Sequence, residues 1–255
     1  MKIAIIGGSG LSSFPWPARL ETVEVETPYG KVGLQKGCWL ERDFFFLPRH
    51  GQGHTVPPHL INYCANIYGL AQLGVEWVLA TAAVGSLRKN IPPGSLVLLN
   101  QFIDYTKART FTFFNGGDAG LRHTDFTNPY CETLRRVILK TAAQKGIRVR
   151  KNGCYVCTEG PRYETAAEVK MFARLGGDVV GMTNVPEVTL ARELGLCYAA
   201  LAVVTNYGAG ITKKFLTHSE VEKTMNENMA KIGRIFAGVL EAGELKEKCG
   251  VCPRS

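Results

Sequence analysis

Apolar positions fall in short runs ended by glycine or proline, and their spacing switches repeatedly between the strand and helix periods. Runs at 3–6, 20–26, 32–38 and 43–47 read as strands, the first entering Gly7-Gly-Ser-Gly10 and the last delivering Pro48-Arg49-His50. Residues 58–73 carry helical spacing through Leu60, Ile61, Cys64, Ile67 and Leu70, and Gly74 stops them. Strands follow at 77–82 and 95–103, then a helix at 130–145 closed by Gly146 and an extended stretch at 149–158. Helices at 164–175, 186–194 and 219–246 alternate with strands at 178–182 and 197–206. Pro186 suits a first helical position, where its missing N–H is not needed. The alternation predicts an α/β fold around a largely buried sheet.

Composition narrows this to one domain. Of 255 residues, 45% are apolar and 20% charged, with no Pro/Ser-rich linker, low-complexity run or repeat. A domain over 1–245 and a tail over 246–255 are expected. The net charge of +8 would suit nucleic acid or an anionic small molecule. Yet Arg135, Arg136, Lys140, Lys145, Arg148, Arg150 and Lys151 spread along a helix and a strand without interleaved aromatics, which argues for a solvated surface and against nucleic acid. The first apolar stretch is too short for a signal peptide, and no segment reaches the ~20 apolar residues of a membrane helix. A cytoplasmic chain with no membrane partner is expected.

Eight cysteines then read as reduced thiols. Cys154 and Cys157 fall in a predicted strand, where positions three apart face opposite ways and cannot share a metal. Cys249 and Cys252 form a second CxxC pair, which supplies two ligands where zinc wants four, so a local disulfide or an inert tail is expected there and no metal.

The chemistry collects at strand ends. Gly7-Gly-Ser-Gly10 is an oxyanion cradle or a simple turn; it is not the dinucleotide fingerprint, since Ser13 stands where the third glycine should be and Pro15 and Pro17 interrupt the helix that should follow. Arg49-His50 offers a charged fork suited to phosphate beside an imidazole. Ala82-Ala83-Val84-Gly85-Ser86 is small enough for a ligand to approach the backbone. Tyr163 and Glu164 follow Glu159-Gly-Pro-Arg162, and Met182 and Thr183 lie between a strand and a helix. Asn206 closes the run that begins at Tyr198, where its amide either caps a turn or donates and accepts to a ligand. No Ser–His–Asp order, metal-ligand cluster or Walker motif competes.

Taken in order, IIGGSGL (5–11), PRHGQGH (48–54), NYCANIYGL (62–70), AAVGSL (82–87), QFIDYT (101–106), TEGPRYET (158–165), GMTNVPE (181–187) and VVTNYG (203–208) resemble the trimeric purine nucleoside phosphorylase and methylthioadenosine phosphorylase family, from Lys2 to about Leu240. The resemblance implies a distorted mixed β-sheet, a partial barrel, flanked by helices in a single domain. It implies a homotrimer or dimer of trimers, no cofactor, and inorganic phosphate as co-substrate. Phosphate would meet Ser9, Arg49, His50, the Ala83 backbone and Thr183. Met182 would lie against the ribose and Tyr163 near the base, with His123 reaching a neighbouring subunit's site.

The implied reaction is phosphorolysis of a purine nucleoside to free purine and ribose 1-phosphate, with His50 and Asn206 nearest the chemistry. Base choice follows from hydrogen-bond direction: Glu164 can only accept, which suits N1–H of a 6-oxopurine, and the Asn206 amide can donate to O6 or N7. Adenosine-type members carry Asp at the position of Asn206, another Asp at that of Gly208, and a small residue at that of Glu164. Inosine and guanosine are therefore expected. His218 matches a histidine on the ribose 5′-hydroxyl, where methylthio-specific members place an apolar residue. S-methyl-5′-thioinosine phosphorylase is the alternative, and methylthioadenosine phosphorylase a more distant one.

Overall fold

The computed structural model describes residues 2–8, 20–39, 41–213, 218–245, Cys249 and Cys252, with backbone alone for 218–220. Ten strands form one mixed sheet: β1 (Ile3–Gly7), β2 (Glu21–Thr27), β3 (Gly30–Trp39), β4 (Arg42–Pro48), β5 (Trp77–Ser86), β6 (Leu96–Leu98), β7 (Gln101–Tyr105), β8 (Cys154–Thr158), β9 (Val179–Gly181) and β10 (Cys197–Tyr207). Among the described residues five α-helices flank it: α1 (Tyr63–Gln72), α2 (Glu132–Gln144), α3 (Ala166–Arg174), α4 (Glu187–Glu193) and α5 (His218–Glu241). The main path runs β2-β3-β4-β1-β5-β9-β8-β7, with β10 paired to both β5 and β6. The sheet divides at β5, whose start pairs with β1 while Gly85 and Ser86 pair with β9, and β10 runs parallel to it throughout. This is the expected distorted mixed sheet.

Strand alternation builds two apolar layers. On β10, Tyr198, Ala200, Ala202 and Val204 pack with α1 and α4, whereas Cys197, Ala199, Leu201 and Val203 pack with α2 and α5. The same alternation separates Cys157, which shares a layer with Tyr155, from Cys154.

Several boundaries move for identifiable reasons. The helix expected from residue 58 begins at Tyr63, because Asn62 accepts the Ala65 N–H and caps it there, leaving Pro58–Leu60 as one 3₁₀ turn. The strand expected at 95–103 is two strands. β6 pairs antiparallel with β10, and after Asn100, which is bonded to Gly153 through side chain and backbone, β7 pairs parallel with β8. Only 154–158 of the extended stretch is strand. Pro186 caps α4 instead of opening its first turn. β5 runs on to Ser86, so Ala83 lies inside the strand, and β10 runs past Asn206 to Tyr207. α5 stops at Glu241, five residues short of expectation. Beyond residue 245 the described residues are Cys249 and Cys252, both buried in the layer under α2 and α5. No helix among the described residues is long and apolar enough to cross a membrane.

Candidate active site

Because β1, β4, β5 and β10 run parallel, their C-terminal ends lie together, and a cavity of about 500 Å³ opens there. Gly8, Arg49, His50, Ala83, Tyr163, Glu164, Met182, Thr183 and Asn206 line it. Eight of the residues singled out from sequence thus meet in one place. Gly208 does not. Buried behind the wall, it donates its N–H to Ser86, and a side chain there would strike Val169 and the Ser86 carbonyl. His123 is exposed and lines none of this cavity. Ser9 and the side chain of His218 lie outside the described residues.

At the cationic end, Arg49 is almost wholly buried and held by a partner that the sequence reading did not assign. Glu187, at the start of α4, grips it in a fork: Nε donates to Oε2 at 2.5 Å and Nη2 to Oε1 at 2.6 Å. Nη1 donates to the Thr81 carbonyl at 2.8 Å. Three of five guanidinium N–H groups are used in this way, leaving two for a ligand. Gly8 permits that approach, since a Cβ there would stand 3.3 Å from Nη1. Glu187 is itself oriented by the Tyr198 hydroxyl, which donates to it at 2.6 Å and accepts from Asn184 at 2.9 Å; Tyr130 donates to Asn184 in turn. A buried chain from Tyr130 to Arg49 therefore fixes the cation.

His50 faces the same space with its ring 4.2 Å from that of His54. Burial, then the Arg49 charge, hold its pKa down to about 4, so the ring is neutral near pH 7. Its Nδ1 lies 2.9 Å from the Val56 carbonyl, which can only accept; Nδ1 therefore carries the proton, and Nε2 is a bare acceptor. The opposite wall is set by Tyr155, whose hydroxyl accepts from the Thr183 N–H at 3.1 Å.

At the other end, the register of β10 against β5 shifts between Val204 and Asn206, and this bulge sets Asn206 opposite Gly85. A side chain at Gly85 would come within 3.2 Å of the amide nitrogen. The amide orientation is determined by its neighbours. Nδ2 donates to the Tyr207 carbonyl at 3.0 Å, and Oδ1 accepts from Thr205 at 2.8 Å. A flipped amide would set two acceptors together, so a second N–H is left for the cavity. Glu164 accepts from Thr158 at 2.7 Å through Oε1, leaving Oε2 as an acceptor, and burial raises its pKa. Tyr163 is 40% exposed at the mouth.

One buried residue ties these loops together, and it too escaped the sequence reading. Arg109 donates to the carbonyls of Thr158, Glu159, Met182 and Val185, to the Tyr63 hydroxyl and to the Glu159 carboxylate. Both the 158–164 turn and the 182–185 turn are thereby fixed. A larger cleft, about 700 Å³, lies by α2 and α5 and carries Lys145, Arg148, Arg150, Lys231 and Arg234. Its lining carries cations and no carboxylate, so the strand-end cavity, which joins Arg49 and His50 to Glu164 and Asn206, is the candidate site.

The chain is similar to known proteins over nearly its whole length. A probable 6-oxopurine nucleoside phosphorylase of Dictyoglomus turgidum is 53% identical over 249 residues, covering 98% of this chain and 94% of that protein. The 6-oxopurine nucleoside phosphorylase of Pyrococcus furiosus is 46% identical over 254 residues, covering 98% and 96%. The solved methylthioadenosine phosphorylase of Schistosoma mansoni in complex with adenine superposes with a TM-score of 0.90 at 33% identity, covering 94% of this chain and 91% of its own. Residues 2–241 match the model of the phosphorylase superfamily, and with the strand-end cavity in the same chain the protein belongs to that superfamily.

Proposed function

We propose that the protein catalyses phosphorolysis of 6-oxopurine nucleosides, inosine and guanosine, to the free purine and ribose 1-phosphate. The observation that carries this reading is the pair at the base end: an acceptor-only Glu164 and an Asn206 whose spare N–H faces the same cavity as Arg49 and His50. A 6-oxopurine presents N1–H and O6 to such a pair in matching directions, and adenine presents the reverse. Arg49, Thr183, the Ala83 backbone and Ser9 are assigned to phosphate, Met182 to ribose, Tyr163 to the base and His218 to the 5′-hydroxyl.

The division of labour follows from charge. Cleaving the glycosidic bond builds positive charge on the sugar and negative charge on the departing base. Phosphate held by Arg49 supports the sugar and then attacks it, while the Asn206 N–H takes up charge on the purine. A neutral His50 with a bare Nε2 accepts a hydrogen bond from the P–O–H of monohydrogen phosphate, which selects that ion over an unprotonated dianion such as sulfate. The exposed position of His123 supports its use by a neighbouring copy in a trimer. We place the reaction in the cytoplasm.

Incubation with inosine should release hypoxanthine and ribose 1-phosphate only when phosphate is present. Equal release in phosphate-free buffer would identify a hydrolytic enzyme and overturn the proposal. The raised pKa of Glu164 gives a second expectation. Its acceptor is present as carboxylate above that pKa and is lost as pH falls through it, so KM for inosine should rise on the acid side at a fixed concentration of monohydrogen phosphate. Glu164→Gln should raise KM about tenfold, the ~1.4 kcal/mol of one hydrogen bond, and flatten that pH dependence. An unchanged acid-side rise in the variant would remove Glu164 from base recognition.

A further inference from the structure

On the sheet face opposite the Tyr198 layer, four cysteines from three distant parts of the chain converge. Cys131 caps α2, Cys197 opens β10, and Cys249 and Cys252 follow α5; all four are buried. Their sulfurs lie within 4.8 Å of one another, with Cys131 and Cys249 at 3.6 Å. The expectation of no metal at the tail rested on Cys249 and Cys252 supplying two ligands alone. The fold provides the other two.

We infer that Cys131, Cys197, Cys249 and Cys252 form a tetrahedral site for one zinc ion. Four sulfurs about 2.3 Å from a central ion stand roughly 3.8 Å apart, the scale seen here, whereas a disulfide requires about 2.05 Å. A multi-iron cluster sets several atoms between its thiolates and does not fit inside this spacing. Tetrahedral sulfur-only coordination is the preference of zinc among common divalent ions.

The surroundings are built for thiolate. The Leu134 N–H, in the first turn of α2, donates to Cys131 Sγ at 3.5 Å. The Thr133 hydroxyl is 3.4 Å from Cys249 Sγ and donates once that sulfur is ionised. Arg192, itself buried and anchored on the Asp125 carbonyl, sets Nη1 4.0 Å from Cys252 Sγ. Zinc with four thiolates carries two negative charges, and these N–H and O–H groups, with the guanidinium and the helix N-terminus, are what such a centre needs in its second layer. A crevice of about 390 Å³ bordered by Cys197, Cys249 and Cys252 gives an entry path. Binding exchanges thiol protons for the ion and requires no oxidant. The site clips the C-terminal tail to the starts of α2 and β10.

The test is metal and thiol stoichiometry on the full chain purified without chelator. One zinc per chain is expected, with all eight cysteines titrating as free thiols in denaturant plus chelator under non-reducing conditions. Metal-stripped protein given zinc alone should regain one equivalent, and given cobalt alone should show the visible bands of tetrahedral cobalt thiolate. The variant Cys249→Ser/Cys252→Ser should lose that equivalent and melt several degrees lower while retaining phosphorolysis. Four thiols missing as two disulfides would overturn the inference. So would eight free thiols in a protein that takes up less than a tenth of an equivalent of zinc. Both readings come from the unmodified chain, so they decide even where the variant does not fold.

Discussion

Glu187→Ala is expected to destabilise the fold by about 3–5 kcal/mol, because it leaves the buried guanidinium of Arg49 without its counter-charge. Both side chains are 1% exposed, so water cannot replace the lost partner. In a domain of this size each kcal/mol shifts the melting temperature by about 2–4 °C, so a fall of roughly 10 °C should be read by calorimetry. The kinetic effect is separate. Without the fork on Nε and Nη2, the two spare N–H groups lose their aim, and KM for phosphate should rise about 10–100-fold, the worth of one charged hydrogen bond. Glu187→Gln keeps the shape and an acceptor for Tyr198, and should lose less stability than the alanine variant while still weakening phosphate. Saturating phosphate should restore part of the stability of both, since it supplies the missing negative charge to the folded state alone. An alanine variant with wild-type melting and wild-type KM for phosphate would show that Arg49 is not held by Glu187 in solution.

Asn206→Asp should lower kcat/KM for inosine by about 100-fold or more, since a site built to donate to O6 or N7 would present an acceptor instead. The structure adds a second penalty: the atom replacing Nδ2 would sit about 3.0 Å from the Tyr207 carbonyl, acceptor against acceptor. Adenosine should lose less, because its amino group can donate to the new carboxylate, and the inosine-to-adenosine ratio should fall steeply. Asn206→Ala removes the donor without inserting an acceptor and should leave that ratio closer to its original value. If Asn206→Asp and Asn206→Ala shift the ratio equally, Asn206 acts as a turn cap and not as a reader of the base.

Much of this site was legible before the fold, and what was not has physical causes. Arg49, His50, Thr183 and Asn206 declared themselves because polar groups at strand ends in an α/β chain converge on the ligand side of the sheet. Glu187 stands 138 residues from Arg49, and sequence spacing says nothing of such a contact. A clue lay in Tyr198: a hydroxyl inside an otherwise apolar strand must find a buried partner, and here the partner is Glu187. Arg109 gave no such clue, since its role is to collect carbonyls from turns whose proximity only the fold creates. Asn206 was taken as the end of its strand, whereas a bulge within the strand turns it toward the cavity, and bulges have no side-chain period to reveal them. Cys131 and Cys197 looked like ordinary apolar positions at element ends, as buried cysteines usually do. Gly208, informative about base choice by resemblance, does not line the cavity and packs against Val169 and Ser86.

Selectivity of the cavity for a 6-oxopurine nucleoside with phosphate decides between these roles and their rivals. It is tested most directly by kcat/KM for inosine, guanosine, adenosine and methylthioadenosine at saturating phosphate. Inosine and guanosine should exceed both adenine nucleosides by two orders of magnitude or more, given donors and acceptors that match in one case and clash in the other. Faster cleavage of methylthioadenosine than of inosine would contradict the roles given to Glu164 and Asn206.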